Sequence, residues 1–242
     1  MSRCVSLVVL ICIIAGSSFS QNAIFGKVTD GTTRLPVPYV NIYVNNSTIG
    51  TITDDHGNYS LLLPSGEHHV VYSFVGYISH KVTILIGTED IENNIELFPV
   101  KRELATLTIR DKPDKEWEKL IKQFEKVFLG DNYAGRYCTI VNAWCVNFKN
   151  ERISGKRVLR AQASQPLEIE NLALGYKLFY DLESFSTTRE KDVFNGNVFF
   201  VELKPKDSVQ AEIWARNRQD AYLGSTNHLF KSILSGTLSE EG

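Results

Sequence analysis

Cysteine, histidine and methionine are scarce in this chain, with 4 Cys, 5 His and 1 Met in 242 residues. Cys4 and Cys12 fall within the first twenty residues, which leaves Cys138 and Cys145 for the body of the protein. On one continuous strand these two would stand about 23 Å apart at roughly 3.3 Å per residue, beyond disulfide reach. A bridge would need a turn, which Asn142-Ala143 offers. Two buried thiols acting as small apolar groups is the favoured reading, and whether Cys138 and Cys145 pair stays open. A disulfide-framework protein is excluded. The histidines lack zinc-hydrolase spacing, since the third residue after His56, His68, His69, His80 and His228 is Tyr59, Val71, Tyr72, Thr83 and Lys231. Adjacent His68 and His69 point to opposite faces of a strand and do not share an ion. Basic charge is also lacking: 26 Lys/Arg stand against 28 Asp/Glu, and nucleic acid is not an expected partner.

Long apolar runs are missing as well, apart from one. Residues 1–20 combine a basic start at Arg3, an apolar run over 5–15, and the small residues Ser18 and Ser20 ahead of Gln21. That layout predicts a cleaved secretory signal. The run is shorter than the roughly 20 apolar residues of a membrane span, and no second one follows, so no transmembrane span is expected in the mature chain. Cys12 sits inside the apolar run after Val9-Leu10-Ile11, which disfavours a lipid anchor. The expected location is the periplasm, the outer-membrane surface or the extracellular space.

What is abundant is alternation. Ile24, Gly26 and Val28 share a face, as do Val40, Ile42 and Val44. Tyr59, Leu61 and Leu63 follow, then Val70, Tyr72 and Phe74, then Val82, Ile84 and Ile86, then Ile95 and Leu97. This is the period of half-buried strands, and with turn residues between them it predicts an all-β sandwich of about seven short strands over residues 21–100. Asp54-Asp55-His56-Gly57-Asn58 reads as a tight reversal. Residues 21–100 hold 3 Lys/Arg against 8 Asp/Glu, net −5, while residues 101–242 hold 22 against 20, net +2.

Residues 101–113 read as a linker and 114–242 as an α+β domain. Trp117, Leu120, Ile121, Phe124 and Phe128 have the spacing of a one-striped helix, with Glu116 and Glu118 in its first turn and Gly130 as its cap. Strands are predicted over 137–148, 158–163, 167–170, 176–185 and 198–203. A helix over 211–223 carries Ile213, Trp214, Ala221 and Tyr222 on one side, and a second helix has a stripe of Leu229, Phe230, Ile233 and Leu234 ending at Gly236.

Catalytic signatures are sparse. The Asp54 to Asn58 loop has the oxygens of a calcium loop but not the downstream bidentate glutamate, and a plain turn is favoured. No nucleophile elbow, phosphate loop or dinucleotide fingerprint appears, and Gly155-Lys156 reads as a hairpin tip. Glu168 and Glu170 on one strand face suit a solvated edge, although a glycosidase pair is an alternative. Trp144, Trp214 and Tyr222 are assigned mainly to core, with a sugar-stacking platform as the alternative. Asn45, Asn46 and Asn58 match the Asn-x-Ser/Thr acceptor pattern. Catalytic, cofactor and metal residues are therefore assigned as none.

Residues 23–98 resemble the carboxypeptidase-regulatory-like domain family. The likeness rests on Gly26-Lys27-Val28-Thr29-Asp30, Leu35-Pro36-Val37-Pro38-Tyr39-Val40-Asn41-Ile42, Gly50-Thr51, Thr53-Asp54, Gly57-Asn58-Tyr59 and Phe74-Val75-Gly76-Tyr77. The resemblance implies a seven-stranded, prealbumin- or transthyretin-like sandwich. It also implies an accessory module of the kind fused to zinc carboxypeptidases and to outer-membrane nutrient transporters of Gram-negative bacteria. The second half is similar to segments that follow this domain in exported bacterial proteins of unknown function, through Phe128-Leu129-Gly130, Pro166-Leu167-Glu168-Ile169-Glu170-Asn171, Leu174-Gly175-Tyr176-Lys177 and Ala221-Tyr222-Leu223-Gly224-Ser225 with His228. In those proteins the chain continues further, so a C-terminally truncated member is expected.

The function expected is a non-catalytic, exported cell-envelope protein with a binding or scaffolding role and an envelope protein or glycan as partner. The alternatives are a carbohydrate-binding module using Trp144 or Trp214, an accessory part of a zinc carboxypeptidase-type hydrolase, and an enzyme built around Glu168, Glu170, Tyr180 and His228.

Overall fold

Burial alternates along residues 21–30, 58–64 and 167–171, as it must where a strand covers a core with one face. The computed structural model of the chain describes residues 21–100, 115–130, 133–153 and 155–237. The signal segment, the linker and the last five residues lie outside the described residues. Contacts divide the chain into two units, one of residues 21–45 and 49–100 and the other of residues 46–48 and 115 onward.

The first unit is all β. Its strands are β1 (Gln21–Asp30), β2 (Asn41–Val44), β3 (Gly50–Ile52), β4 (Asn58–Pro64), β5 (Gly66–Ser73), β6 (His80–Ile86), β7 (Ile91–Glu92) and β8 (Ile95–Leu97). One sheet runs β4-β1-β7 with β8 also on β1, and the other runs β3-β2-β5-β6. Pairing is antiparallel except that β7 and β8 run parallel to β1. Both sheets feed one core of Ile24, Val28, Ile42, Leu61, Leu63, Val70, Tyr72, Ile84 and Leu97 among others, which makes the unit a sandwich. Each such fully buried aliphatic side chain contributes about 1.5–3 kcal/mol.

The count is eight strand segments, not seven. β7 and β8 follow one line along β1, interrupted where Asn93 N–H donates to Phe25 C=O at 2.7 Å and Asn94 Oδ1 accepts from Lys27 N–H at 2.8 Å. The Asn93 carbonyl comes so close to Gly26 that a Cβ there would lie 2.3 Å from its oxygen. Glycine at position 26 makes the interruption feasible.

The second unit is α+β. Its strands are β9 (Cys138–Ile140), β10 (Val146–Ile153), β11 (Lys156–Ala163), β12 (Leu167–Asn171), β13 (Tyr176–Thr187) and β14 (Asp192–Glu202), and its helices are α1 (Lys115–Phe128), α2 (Tyr133–Arg136), α3 (Ser208–Tyr222) and α4 (Thr226–Ser235). The sheet order is β10-β11-β13-β12-β9, with β14 also on β13. The long β13 pairs with β12 through residues 176–180 and with β11 through residues 185–187, while β14 follows nearly its whole length with a bulge between Leu182 and Ser184.

The predicted stripe on α1 is realised. Phe124 is fully buried, with its ring centroid 4.7 Å from Phe185, 5.0 Å from Phe128 and 5.9 Å from Phe148. Three other expectations fail. Residues 137–148 are not one strand: a turn at Val141-Asn142 and a 3-10 turn, Ala143–Cys145, separate β9 from β10, so Cys138 and Cys145 lie on different elements. Trp144, on that turn, is 69 % exposed. The stripe of α4 is uncovered among the described residues, with Leu229, Phe230, Ile233 and Leu234 all exposed.

On α3 only Trp214 of the expected face is buried, and it heads a clamp. Trp214 Nε1 donates to Leu172 C=O at 2.9 Å, Asn217 Nδ2 to Ala173 C=O at 2.7 Å, and Arg218 Nε to Leu174 C=O at 2.7 Å. Arg218 also reaches Gly175 C=O at 3.2 Å and stacks over Tyr176. Residues i, i+3 and i+4 share one helix face, so one side of α3 binds four consecutive carbonyls of the β12–β13 turn. Gly175 has φ +70° there, and a Cβ would meet the Trp214 ring at 2.3 Å. Gly175→Ala should therefore destabilise this unit by more than about 2 kcal/mol. The check is urea unfolding followed by tryptophan fluorescence, which reports on this unit because all 3 Trp lie beyond residue 100; an unchanged midpoint would contradict the clamp.

Candidate functional site

The Asp54 to Asn58 turn is held by its own side chains. Asp54 Oδ1 accepts from His56 N–H at 2.9 Å and Asn58 N–H at 2.8 Å, and Asn58 Nδ2 donates to Asp54 Oδ2 at 3.2 Å. Gly57 follows at φ +77°, where a Cβ would press on Val28 C=O at 2.6 Å. Just before the loop, buried Thr53 donates to Val37 C=O and accepts from Val40 N–H, both at 2.9 Å. The carboxylate of Asp54 thus serves the backbone of its own turn. Its pKa is held below the ordinary aspartate value, first by the Asn58 N–H.

Asp30 behaves in the same way at the end of β1. Its Oδ1 accepts from Thr32 and Thr33 N–H at 2.7 Å each, and its Oδ2 accepts from Tyr77 OH at 2.7 Å. The Thr33 N–H, then Tyr77, lower its pKa. Inside the sandwich, Tyr59 OH donates to Asn93 C=O at 2.6 Å, Asn93 Nδ2 donates to Tyr72 OH at 2.9 Å, and the two hydroxyls lie 2.7 Å apart. With those two donations fixed, Tyr72 donates to Tyr59 and the ring of three bonds closes. Burial raises the pKa of both phenols, far so for Tyr59.

Beside the Asp54 loop lies a shallow open depression lined by Tyr39, Ile52, Asp54, Asp55, Asn58 and Ser60 among others. Tyr39 and Ile52 are 58 % and 57 % exposed. Tyr39 adopts φ +59°, and its hydroxyl donates to Asp55 Oδ1, which raises the phenol pKa. Sequence reasoning missed Tyr39 and Ile52 as surface residues. Tyr39 precedes an alternating strand and reads as part of it, and nothing in its identity signals the left-handed conformation that turns it outward.

The residues of the enzyme alternative do not converge. Glu168 pairs with Lys177 at 2.6 Å, and Glu170 shares the solvent-facing side of β12 with it. Tyr180 stands opposite Leu167 in the ladder, hence on the other, core-facing side of the sheet. His228 belongs to α4, where its Nδ1 accepts from Gly224 N–H at 3.2 Å and its ring lies 5.1 Å from that of Tyr222. Among the described residues, no three of His, Cys, Asp and Glu are grouped to hold a metal. His68 faces Pro64 C=O and His69 the Thr83 hydroxyl. Trp214 is core while Trp144 and Tyr222 are exposed, so the three aromatic residues of the sugar-platform alternative do not share one environment. Asn46 sits at φ +60°, and the Asn58 amide is taken by Asp54. Cys138 and Cys145 are not joined in a disulfide, with Cys145 buried and Cys138 half-buried; burial pushes Cys145 up to about 11 and raises Cys138.

These shifts fix the sign of the acid response. Asp30 and Asp54 have folded pKa values below the unfolded value of about 3.9, so the unfolded chain binds protons first as pH falls. Their stabilisation is complete at neutral pH and fades as pH drops below about 4 through the lowered folded values. Asp30→Asn and Asp54→Asn should each speed amide exchange of Val28 and Tyr59 at neutral pH, and the difference from wild type should close toward about pH 2. A gap that persists in acid would assign the effect to shape rather than charge. Cys145 should resist thiol reagents at neutral pH until the chain unfolds.

Comparison with known proteins places these motifs. Residues 24–109 match the family model of the CarboxypepD_reg-like domain. Over 65 residues the chain is 35 % identical to TonB-dependent receptor P39 of Formosa agariphila, a stretch that is 27 % of this chain and 6 % of that protein; the chain thus matches only a small part of that relative's length. Among solved structures, a DUF3823 family protein from Parabacteroides merdae aligns over 80 % of this chain and 84 % of its own at 14 % identity and a TM-score of 0.28. Another DUF3823 family protein, from Bacteroides ovatus, aligns over 76 % and 82 % at 10 % identity and a TM-score of 0.27. Over residues 24–109 the chain is therefore similar to the CarboxypepD_reg-like domain family.

Proposed function

We propose that this chain is an exported, non-catalytic protein of the bacterial cell envelope that binds or scaffolds a partner. The observation that carries the reading is the use of the motif residues: Asp30, Thr53, Asp54, Tyr59, Tyr72 and Asn93 all serve hydrogen bonds that hold turns and sheets. A catalytic acid or base needs reach to a substrate atom, and these groups are engaged with backbone and side-chain partners inside the fold. The match to part of a TonB-dependent receptor supports an envelope location. No helix among the described residues is long and apolar enough to cross a membrane. In this reading residues 1–20 are a leader, 21–100 the sandwich, 101–113 a linker and 114–242 an α+β domain.

Purified residues 21–242, with and without zinc, should turn over neither peptides nor glycans. Reproducible hydrolysis lost in Glu170→Gln would overturn the proposal. Exposure of Trp144 favours a second reading, a glycan partner stacked on that ring. Quenching of tryptophan fluorescence by oligosaccharides, absent in Trp144→Ala, would establish it.

A further inference from the structure

We propose that β4 is a docking edge for an extended, basic segment of a partner protein, which adds to the first sheet as one more strand. The inference rests on the non-catalytic binding reading and gives it a location. β4 ends its sheet. Val28 N–H donates to Gly57 C=O at 2.8 Å, which sets the phase of the ladder: Tyr59, Leu61 and Leu63 direct their backbone groups to β1, while Ser60 and Leu62 turn theirs away. Asn58 also faces outward, but its C=O accepts from Asp54 N–H at 2.9 Å and its N–H is held by Asp54. Pro64 C=O meets His68 Nε2 at 2.8 Å. Among the described residues, Ser60 and Leu62 therefore present the open N–H and C=O groups of this edge.

Edges left to solvent are normally guarded by charge, proline or a bulge. β4 carries no charged residue, its only proline is its last residue, and its register with β1 is unbroken from Gln21↔Pro64 to Lys27↔Asn58. Leu62 is 57 % exposed, on the same face as exposed Phe25. Of the two strands that end the other sheet, β6 begins instead with His80 and Lys81, and β3 is only 3 residues long.

Charge selects the partner. The unit holds 3 Lys/Arg against 8 Asp/Glu over residues 21–100, and the cation beside the edge is Lys27, one strand over. At the head of the edge the depression offers the Tyr39 ring, Ile52 and the carboxylate of Asp55. A lysine or arginine seated there gains both an ionic and a ring-face contact, and alternate side chains further along would lie on Leu62 and Phe25. Strand addition of this kind takes affinity from main-chain bonds and specificity from alternate side chains.

The test uses isotope-labelled residues 21–242 and a short synthetic peptide alternating valine and threonine with lysine near one end, beside a twin with glutamate in place of lysine. The expected result is amide shifts centred on Ser60 and Leu62 with the lysine peptide only. Ser60→Pro, which removes an outward N–H and keeps the β1 ladder, should weaken binding at least about tenfold. Leu62→Lys should do the same by guarding the edge, and Asp55→Asn should weaken binding about threefold and flatten its salt dependence. Amide spectra of the free variants check the fold. No shifts in wild type, equal binding of the glutamate twin, or unchanged binding in both Ser60→Pro and Leu62→Lys would overturn the edge. Self-association of the free chain that Ser60→Pro abolishes would assign the edge to a second copy and overturn the basic partner. Cleavage of the peptide with shifts still on β4 would sink the non-catalytic reading and leave the edge standing.

Discussion

The first unit depends on the ring of hydrogen bonds through Tyr59, Tyr72 and Asn93. Tyr59 belongs to β4 in one sheet, Tyr72 to β5 in the other, and Asn93 to the break between β7 and β8, so three separate segments meet at one buried polar point. Each bond adds only about 0.5–1.5 kcal/mol net, but removing one partner leaves a buried polar group unsatisfied at about 1–3 kcal/mol. That asymmetry makes the ring a device for specificity. The register of β4 on β1 and of β5 in its own sheet puts both hydroxyls within reach of Asn93, and glycine at position 26 lets the Asn93 carbonyl approach.

Much of this unit is legible in the sequence because its physics is local. Tyr59, Leu61 and Leu63 alternate with Asn58, Ser60 and Leu62, and the structure buries the first set and exposes the second. The turn at Asp54 to Asn58 is equally readable, since a carboxylate followed by glycine states its own geometry. The broken strand at Asn93-Asn94 is not readable: it depends on a main-chain contact with Gly26 almost seventy residues away, and a pair of asparagines otherwise signals an ordinary turn.

In the second unit the failures have two causes. Period identifies an amphipathic face but not what covers it. The stripe of α1 finds Phe148 and Phe185; the stripe of α4, equally regular on paper, lies open among the described residues. The run over 137–148 holds no glycine or proline, and its one turn signal, Asn142-Ala143, marks where the turn that throws Trp144 into solvent falls. Of the candidate site, the aspartates were readable as turn formers, while Tyr39 and Ile52 were hidden within apparently ordinary strand sequence.

The clamp of α3 on the turn after β12 carries a dynamic consequence. Four adjacent carbonyls receive donors from a single helical face, and Gly175 N–H is itself held by Asn171 C=O at 2.9 Å. Neither piece can loosen alone without stranding the other's polar groups, so the turn and the helix form one cooperative opening unit, a foldon in the sense of native-state exchange. Rigidity here is inherited from a helix more than thirty residues downstream, and it holds still the point where β13 begins.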